Sequence, residues 1–220
     1  MSATAPPFPR LHRTAAEWVD ALGGVPLERI IMDPPPGTAT EKDLLQYVDG
    51  AGREKRLCEL VDGTLVEKPV GYWEGVIAQN LIMHLLGHVR AKRLGLVNGE
   101  GGTLRMVYGN VRIPDVSFIS AARAPKSRAP VPAVSPDLAV EVLSDSNTAA
   151  EMLQKRHEYF QSGTRLVWMI DPKARTVTIY RGPEEVTRTL TEADALDGED
   201  VVPGFTMPVG DLFLDVPPLE

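Results

Sequence analysis

From Tyr72 to about Leu94, the apolar residues Ala78, Leu81, Ile82, Leu85 and Val89 recur at three- and four-residue spacing. That period predicts a long helix with one face in a core. Beyond it the period drops to two. Thr103 to Tyr108 and Val111 to Ile119 predict two strands joined across Gly109–Asn110, a hairpin dipeptide. After a Pro- and Ala-rich loop, Leu138 to Leu143 predicts a compact strand, and a helix follows from about Thr148 to Gln161, ended by Gly163. Leu166 to Ile170 is a continuous apolar run, suited to a strand buried on both faces. Asp171–Pro172 turns the chain into Thr176 to Tyr180, an adjacent antiparallel strand, and short apolar runs return between Val201 and Phe213.

Upstream the pattern is sparser. Thr14 and Glu17 have capping-box spacing, and Gly23–Gly24 stops the short helix they open. Three consecutive prolines between Met32 and Gly37 exclude helix and central strand there, so this segment is expected to be an extended linker. A second box, Thr38 with Glu41, predicts a helix to about Val48. Leu57 to Val61 and Thr64 to Glu67 flank Asp62–Gly63, the dipeptide of a tight two-residue turn. The order predicts a mixed α/β fold with helices against a central sheet. It divides into an N-terminal Pro-rich arm, residues 1–37, and one domain, residues 38–220.

Composition adds limits. With 220 residues, 43% of them hydrophobic, the chain can bury one core and is short for two. The net charge of −7 argues against gripping nucleic acid with the whole surface, while leaving room for a local basic groove. A single cysteine, Cys58, excludes an intrachain disulfide and any Cys-rich zinc site. The opening MSATAPPFPR has no apolar run, and no stretch approaches the roughly 20 apolar residues of a membrane span. The expectation is a soluble, cytoplasmic protein without membrane partners.

Two strands carry a carboxylate among apolar neighbours. In IPDVSFI, alternation places Asp115 on the face of Ile113 and Ser117. In PDLAVEVLS, Glu141 shares a face with Ala139 and Leu143, while Leu138, Val140 and Val142 point the other way. A carboxylate so placed is unfavourable unless paired, hydrogen-bonded or bound to metal. From neighbouring strands the two could hold a hard cation through oxygen, Mg²⁺ (or Mn²⁺) being the natural candidate. The ion would bind a phosphate oxygen and activate water. Lys155, on the helix after the Glu141 strand, can reach such a site, with Tyr159 one turn further along. The plainer alternatives are that Asp115 pairs with Arg112 or Arg105, Glu141 with a helix residue, and that Lys155 is an ordinary solvated lysine.

The blocks CELVDGTLVEKP, VRIPDVSFIS, PDLAVEVLSDSNT, KRHEYFQSGTRLVWMIDPKARTVTIYR and VVPGFTMPV, in that order, resemble the Uma-two family of restriction-endonuclease-like proteins. The likeness runs from about Glu41 to Phe213. It implies a restriction-endonuclease-like mixed central sheet flanked by helices, and the Pro-Asp then Asp/Glu-x-Lys signature of that nuclease superfamily. Carried over by position, Asp115 is the first metal ligand and Glu141 the second. The residue two beyond Glu141 is Leu143, not Lys, and the resemblance draws the lysine from the following helix, as Lys155. Glu59, in the ELVDG block, matches an acidic position of the family and joins the catalytic candidates, its alternative being a solvated hairpin carboxylate. Glu74 opens the long helix where relatives carry His. The implied activity is DNA phosphodiester hydrolysis; a homodimer is one arrangement that would supply the two sites needed to cut two strands. The rival expectation is a catalytically inactive nucleic-acid- or protein-binding module on the same fold.

Other signals weigh less. His84 and His88 have zinc-ligand spacing but no third ligand, and packing is the default for them. Gly99 to Gly102 (GEGG) reads as a turn, Trp73 and Trp168 as core or interface aromatics. Ser144 lacks the glycines of a nucleophile elbow.

Overall fold

The computed structural model describes residues 14–50, 54–69 and 71–218. Helix α1 (Ala15–Ala21) starts where the Thr14 hydroxyl accepts the Glu17 N–H, and it ends before Gly23 and Gly24, both at positive φ. The chain then passes through β1 (Ile30–Ile31) into α2 (Glu41–Asp49). The cap of α2 lies two residues later than the spacing predicts, in a box of Thr40 and Asp43. The Thr38 hydroxyl is turned back to the Pro35 carbonyl at 2.6 Å, and the Ala39 N–H goes to Gly63 at 2.8 Å. Those bonds hold the backbone before Thr40 outside the helix. Strands β2 (Cys58–Val61) and β3 (Thr64–Glu67) form the expected hairpin, with Asp62 and Gly63 both left-handed.

Residues 1–13 of the expected arm lie outside the described residues. The rest is built into the body. Ile30 and Ile31 pair with Val66 and Leu65, Leu22 and Val25 are buried, and the Arg29 guanidinium donates to both Glu151 oxygens at 2.7 and 2.8 Å. The prolyl segment is no free linker either, because the Tyr47 hydroxyl holds the Asp33 carbonyl at 2.7 Å and the Gly37 N–H meets Thr64 Oγ1 at 3.2 Å.

The long helix α3 (Tyr72–Lys92) buries Ile77, Ala78, Leu81, Leu85 and Val89, close to the face its period predicts. Next come β4 (Gly95–Asn98), β5 (Leu104–Arg105), β6 (Val111–Arg112) and β7 (Val116–Ser120). Strand β8 (Leu138–Val142), helix α4 (Ala149–Gln161) and strand β9 (Leu166–Asp171) follow. The last strands are β10 (Thr176–Tyr180), β11 (Val186–Thr191), β12 (Ala195–Asp197) and β13 (Thr206–Pro208). The main sheet has the order β11-β10-β9-β8-β7-β4, a second sheet β1-β3-β2-β6-β5, and β12 and β13 form a ribbon. Among the described strand pairs, β8 with β9 is the parallel one, as the α4 crossover between them requires.

The stretch Val111 to Ile119 is not one strand. β6 pairs with β2 and β5 in the second sheet, while β7 pairs with β4 and β8 in the main one. The chain changes sheets at Pro114–Asp115, where Pro114 offers no N–H to a ladder and the Asp115 carboxylate takes the Val142 N–H instead. The face sharing expected of Asp115 with Ile113 and Ser117 is therefore lost. Tyr108, at positive φ in a short 3₁₀ turn, likewise ends the Thr103 strand early.

The main sheet is covered on both faces. Val116, Phe118, Val140 and Trp168 pack with the α3 face, and Ala139, Val167 and Met169 pack with Met152 and Tyr159 of α4. Among the described residues no helix is long and apolar enough to cross a membrane.

Candidate active site

Alternation along β8 sends Leu138, Val140 and Val142 into the core under α3, which turns Glu141 toward α4. On α4, Glu151, Met152, Lys155, Glu158 and Tyr159 are the buried positions, a helical stripe laid over that side of the sheet. Lys155 Nζ stands 3.3 Å from Glu141 Oε2 and 3.3 Å from Glu59 Oε1. The Tyr159 hydroxyl donates to Glu141 Oε1. All of these side chains are buried.

The sheet change at Pro114 delivers Asp115 to the same place. Its Oδ2 accepts the Val142 N–H at 2.7 Å, one residue past Glu141, and its Oδ1 lies 2.8 Å from Lys68 Nζ. Lys68 also donates to the Ile113 carbonyl, so the ammonium is fixed from two sides. Asp115 pairs with neither Arg112 nor Arg105. Arg105 holds Glu41 at 2.7 Å, and Arg112 lies between Glu59 at 2.9 Å and Glu158 at 2.7 Å. Glu59 is no solvated hairpin carboxylate: it is 1% exposed and accepts the Ile113 N–H besides Arg112.

The charges set one another. Burial alone would raise the Glu59 carboxyl, but Lys155, Arg112 and Lys68 bring it down to about 2. Glu141 goes the other way: burial and the nearby Asp115 and Glu59 carboxylates outweigh Lys155 and Lys68 and push it above its ordinary value. Burial works against the charge on Lys155, yet Glu141 and Glu59 hold its ammonium above the usual range. Burial and the same two carboxylates push Tyr159 far up, so it remains a neutral donor.

Asp115, Glu141, Lys155 and Lys68 line one recess of about 20 Å³, with room for little more than a water. Glu74 from the first turn of α3 lines it too, as does Glu100 from the GEGG turn. Sequence reasoning missed Lys68 and Glu100. Lys68 stands in the VEKP block, but its local pattern is that of any lysine leaving a strand, and Glu100 sits in a turn whose glycines drew the attention. As donors for a cation the recess offers oxygens and neither His nor Cys, a hard-ion set. Among the described residues no three His, Cys, Asp or Glu are grouped closely enough to hold a metal by themselves. Mg²⁺ is commonly held by one or two carboxylates together with waters and substrate phosphate, and Asp115 with Glu141 fits that smaller demand.

The remaining candidates lie elsewhere. His84 Nε2 is 3.5 Å from Asp211, and His88 Nε2 is 3.1 Å from the Pro203 carbonyl, so both fasten the C-terminal segment to α3. The Ser144 N–H is held by Asn147 Oδ1 at 3.0 Å in a turn. Trp168 is buried in the core and Trp73 is half-buried beside it.

The family model of Uma2 (Uma-two), described as putative restriction endonuclease, matches residues 42–210. A crystal structure of a putative nuclease belonging to DUF820, from Anabaena variabilis ATCC 29413, superposes with a TM-score of 0.64. That alignment covers 71% of this chain and 89% of the other at 20% identity, a likeness of fold. No curated protein matches the chain.

Proposed function

Since the chain belongs to the Uma2 family, we propose that it is a metal-dependent nuclease hydrolysing phosphodiester bonds of DNA. One observation carries this reading: Asp115, at the bend before β7, and Glu141, on the neighbouring β8, line one recess with the ammonium groups of Lys68 and Lys155. Asp115 and Glu141 are the residues that would hold Mg²⁺ or Mn²⁺ there. Such an ion, when bound, supplies charge to a phosphate oxygen and acidifies a water. The chain's own groups do the positioning. Lys155, held from behind by Glu59, which Arg112 in turn holds, aims an ammonium at the recess to donate to a phosphate oxygen or to orient water. Lys68 places a second positive charge beside Asp115. Tyr159 ties down Glu141 Oε1 and leaves Oε2 on the Lys155 side.

Plasmid incubated with Mg²⁺ or Mn²⁺ should be cut by the wild type. Asp115→Asn, Glu141→Gln and Lys155→Met should each cut it roughly a hundredfold more slowly or worse while staying folded. Equal cutting by wild type and variants would trace the activity to a contaminant and end the proposal. Cutting both strands of a duplex would require two such sites, and a homodimer would supply them. Light scattering that finds monomers alone would limit each copy to one strand.

A second reading, a non-catalytic binding module on this fold, is favoured by one observation: both carboxylates already have cationic or hydroxyl partners. Thermal melts separate the two. An ion at a hundred times its dissociation constant adds about 2.7 kcal/mol, whereas no shift at millimolar Mg²⁺ or Mn²⁺ favours the module.

A further inference from the structure

Next to the recess, and sharing Glu74, Ser144 and Asn147 with it, opens a cleft of about 930 Å³. Its floor is the α4-facing side of β9 and β10, with Met169, Thr178 and Tyr180. Arg156 of α4 forms one wall and Trp73 at the start of α3 another. We propose that this cleft seats an unpaired nucleotide of a single DNA strand whose neighbouring phosphate lies at the mouth of the recess. The inference rests on the nuclease reading above and names its substrate class.

Size, charge and surface agree on this occupant. A cleft of about 930 Å³ falls in the range of sites that seat one small ligand, which suits a single splayed base better than a base-paired helix. The charged side chains in the cleft are Arg156 and Lys173 against Glu74, Asp145 and Asp171, and Lys173 is already paired to Asp145 at 2.6 Å. The cleft has no positive excess with which to track a run of phosphates, so a base and not the backbone would occupy it, on flat and polarizable surfaces. The Arg156 guanidinium lies 4.3 Å from the centre of the Tyr180 ring, and the Trp73 indole and the Met152 and Met169 thioethers complete an apolar seat. Bases stack on aromatic and guanidinium planes without regard to sequence. The Thr176 and Thr178 hydroxyls offer hydrogen bonds to a base edge. An unpaired strand needs one cut, so this occupant removes the need for a second site.

The test is fluorescence anisotropy with a labelled single strand of twelve bases and the same sequence as a duplex, in EDTA so that binding is read without cleavage. The single strand should bind at least tenfold more tightly. Thr178→Trp, which fills the cleft, and Trp73→Leu, which keeps apolar packing but removes the ring, should each weaken it by roughly tenfold and leave the duplex unchanged. Equal affinity for the two forms overturns the inference. So does unchanged single-strand affinity in both variants when their melts are native. Cleavage of the same two DNAs in Mg²⁺ and Mn²⁺ is scored separately. A single strand that binds as described yet survives both ions sinks the nuclease reading and leaves the cleft its occupant. Cutting of both forms at one rate and with one affinity does the reverse.

Discussion

Along β8, alternate side chains enter two interiors of opposite chemistry. Val140 and Val142 meet Val116, Trp168, Ile170 and the α3 residues Leu81 and Leu85, all hydrocarbon and indole. Glu141, between them in sequence, meets Lys155 and Tyr159 of α4, and behind these Glu59, Arg112 and Glu158 form a buried chain of charges. Both sides are shut from water to a similar degree, with Val140 0% and Glu141 3% exposed. Burial alone therefore does not distinguish them. The α3 side stabilises through area removed from water. On the α4 side desolvation opposes the attraction of each pair, so the network is a poor source of net stability and serves to fix Lys155 and Glu141 in register. The α4 side has apolar packing too, Ala139, Val167 and Met169 against Met152, but the charged network lies on that face alone.

Removing one charge from the α4 side should have the largest effect. Arg112→Met leaves Glu59 and Glu158 buried without their shared cation, and about 3–5 kcal/mol of stability should be lost. Leu81→Ala on the α3 side should lose about 2–5 kcal/mol through the cavity it leaves. The two losses overlap, but their partners differ. Adding Glu59→Gln and Glu158→Gln to Arg112→Met should recover much of the first loss, since no orphaned charge remains. No second substitution of that kind repairs Leu81→Ala. Urea melts check both, and a triple variant no more stable than Arg112→Met would show that the charges themselves hold the fold.

The same contrast governs what could be read from the chain. On the α3 side, side-chain period and burial report each other, so the helix and the strands beneath it were legible one segment at a time. On the α4 side the exceptions were legible: a glutamate inside an apolar strand, and Pro114–Asp115 inside another. Lys155 and Tyr159 could be set beside Glu141 from their stripe on the next helix, and Glu59 through family likeness. Lys68 and Glu158 were not legible, because pairing there is tertiary. Lys68 reaches Asp115 across 47 positions of chain, and nothing around Lys68 marks it as 5% exposed. Glu74 was noticed through family likeness alone. The sheet change at Pro114 was misread as continuous strand because alternation persists on both sides of it. The α2 cap was misplaced because Gly63, distant in sequence, competes for the backbone before Thr40. Strands β4 and β11 gave no signal, being edges whose residues are largely half-buried or exposed.

Acid acts on the same charge network more gently than mutation. A carboxyl whose folded pKa lies below its unfolded value adds stability above the unfolded value, and loses it as pH falls to the folded one. For Glu59 that window runs from 4.5 down to about 2. The melting temperature should fall through this range as Lys155 and Arg112 lose their shared counter-charge, and in Glu59→Gln that part of the slope should be absent. Leu81→Ala should keep the wild-type slope from a lower starting point. Circular dichroism melts across pH 5 to about 2 would check it. A slope in Glu59→Gln equal to the wild type would assign acid sensitivity to other groups.

The smallest effect belongs to the same ion-pair chemistry placed in water. On β11, Arg188 lies 3.0 Å from Asp197 and 3.1 Å from Glu199, distances close to those of Arg112 with its two glutamates. Its side chain is 42% exposed, against 3% for Arg112. Water already solvates the Asp197 and Glu199 carboxylates, so truncating the arginine strands neither of them. Arg188→Ala should change stability by less than about 1 kcal/mol, and the change should shrink further in high salt. Urea melts at low and high ionic strength would measure both. If Arg188→Ala proved as damaging as Arg112→Met, geometry and not desolvation would set the strength of these pairs, and the division between the two faces of β8 would lose its physical basis.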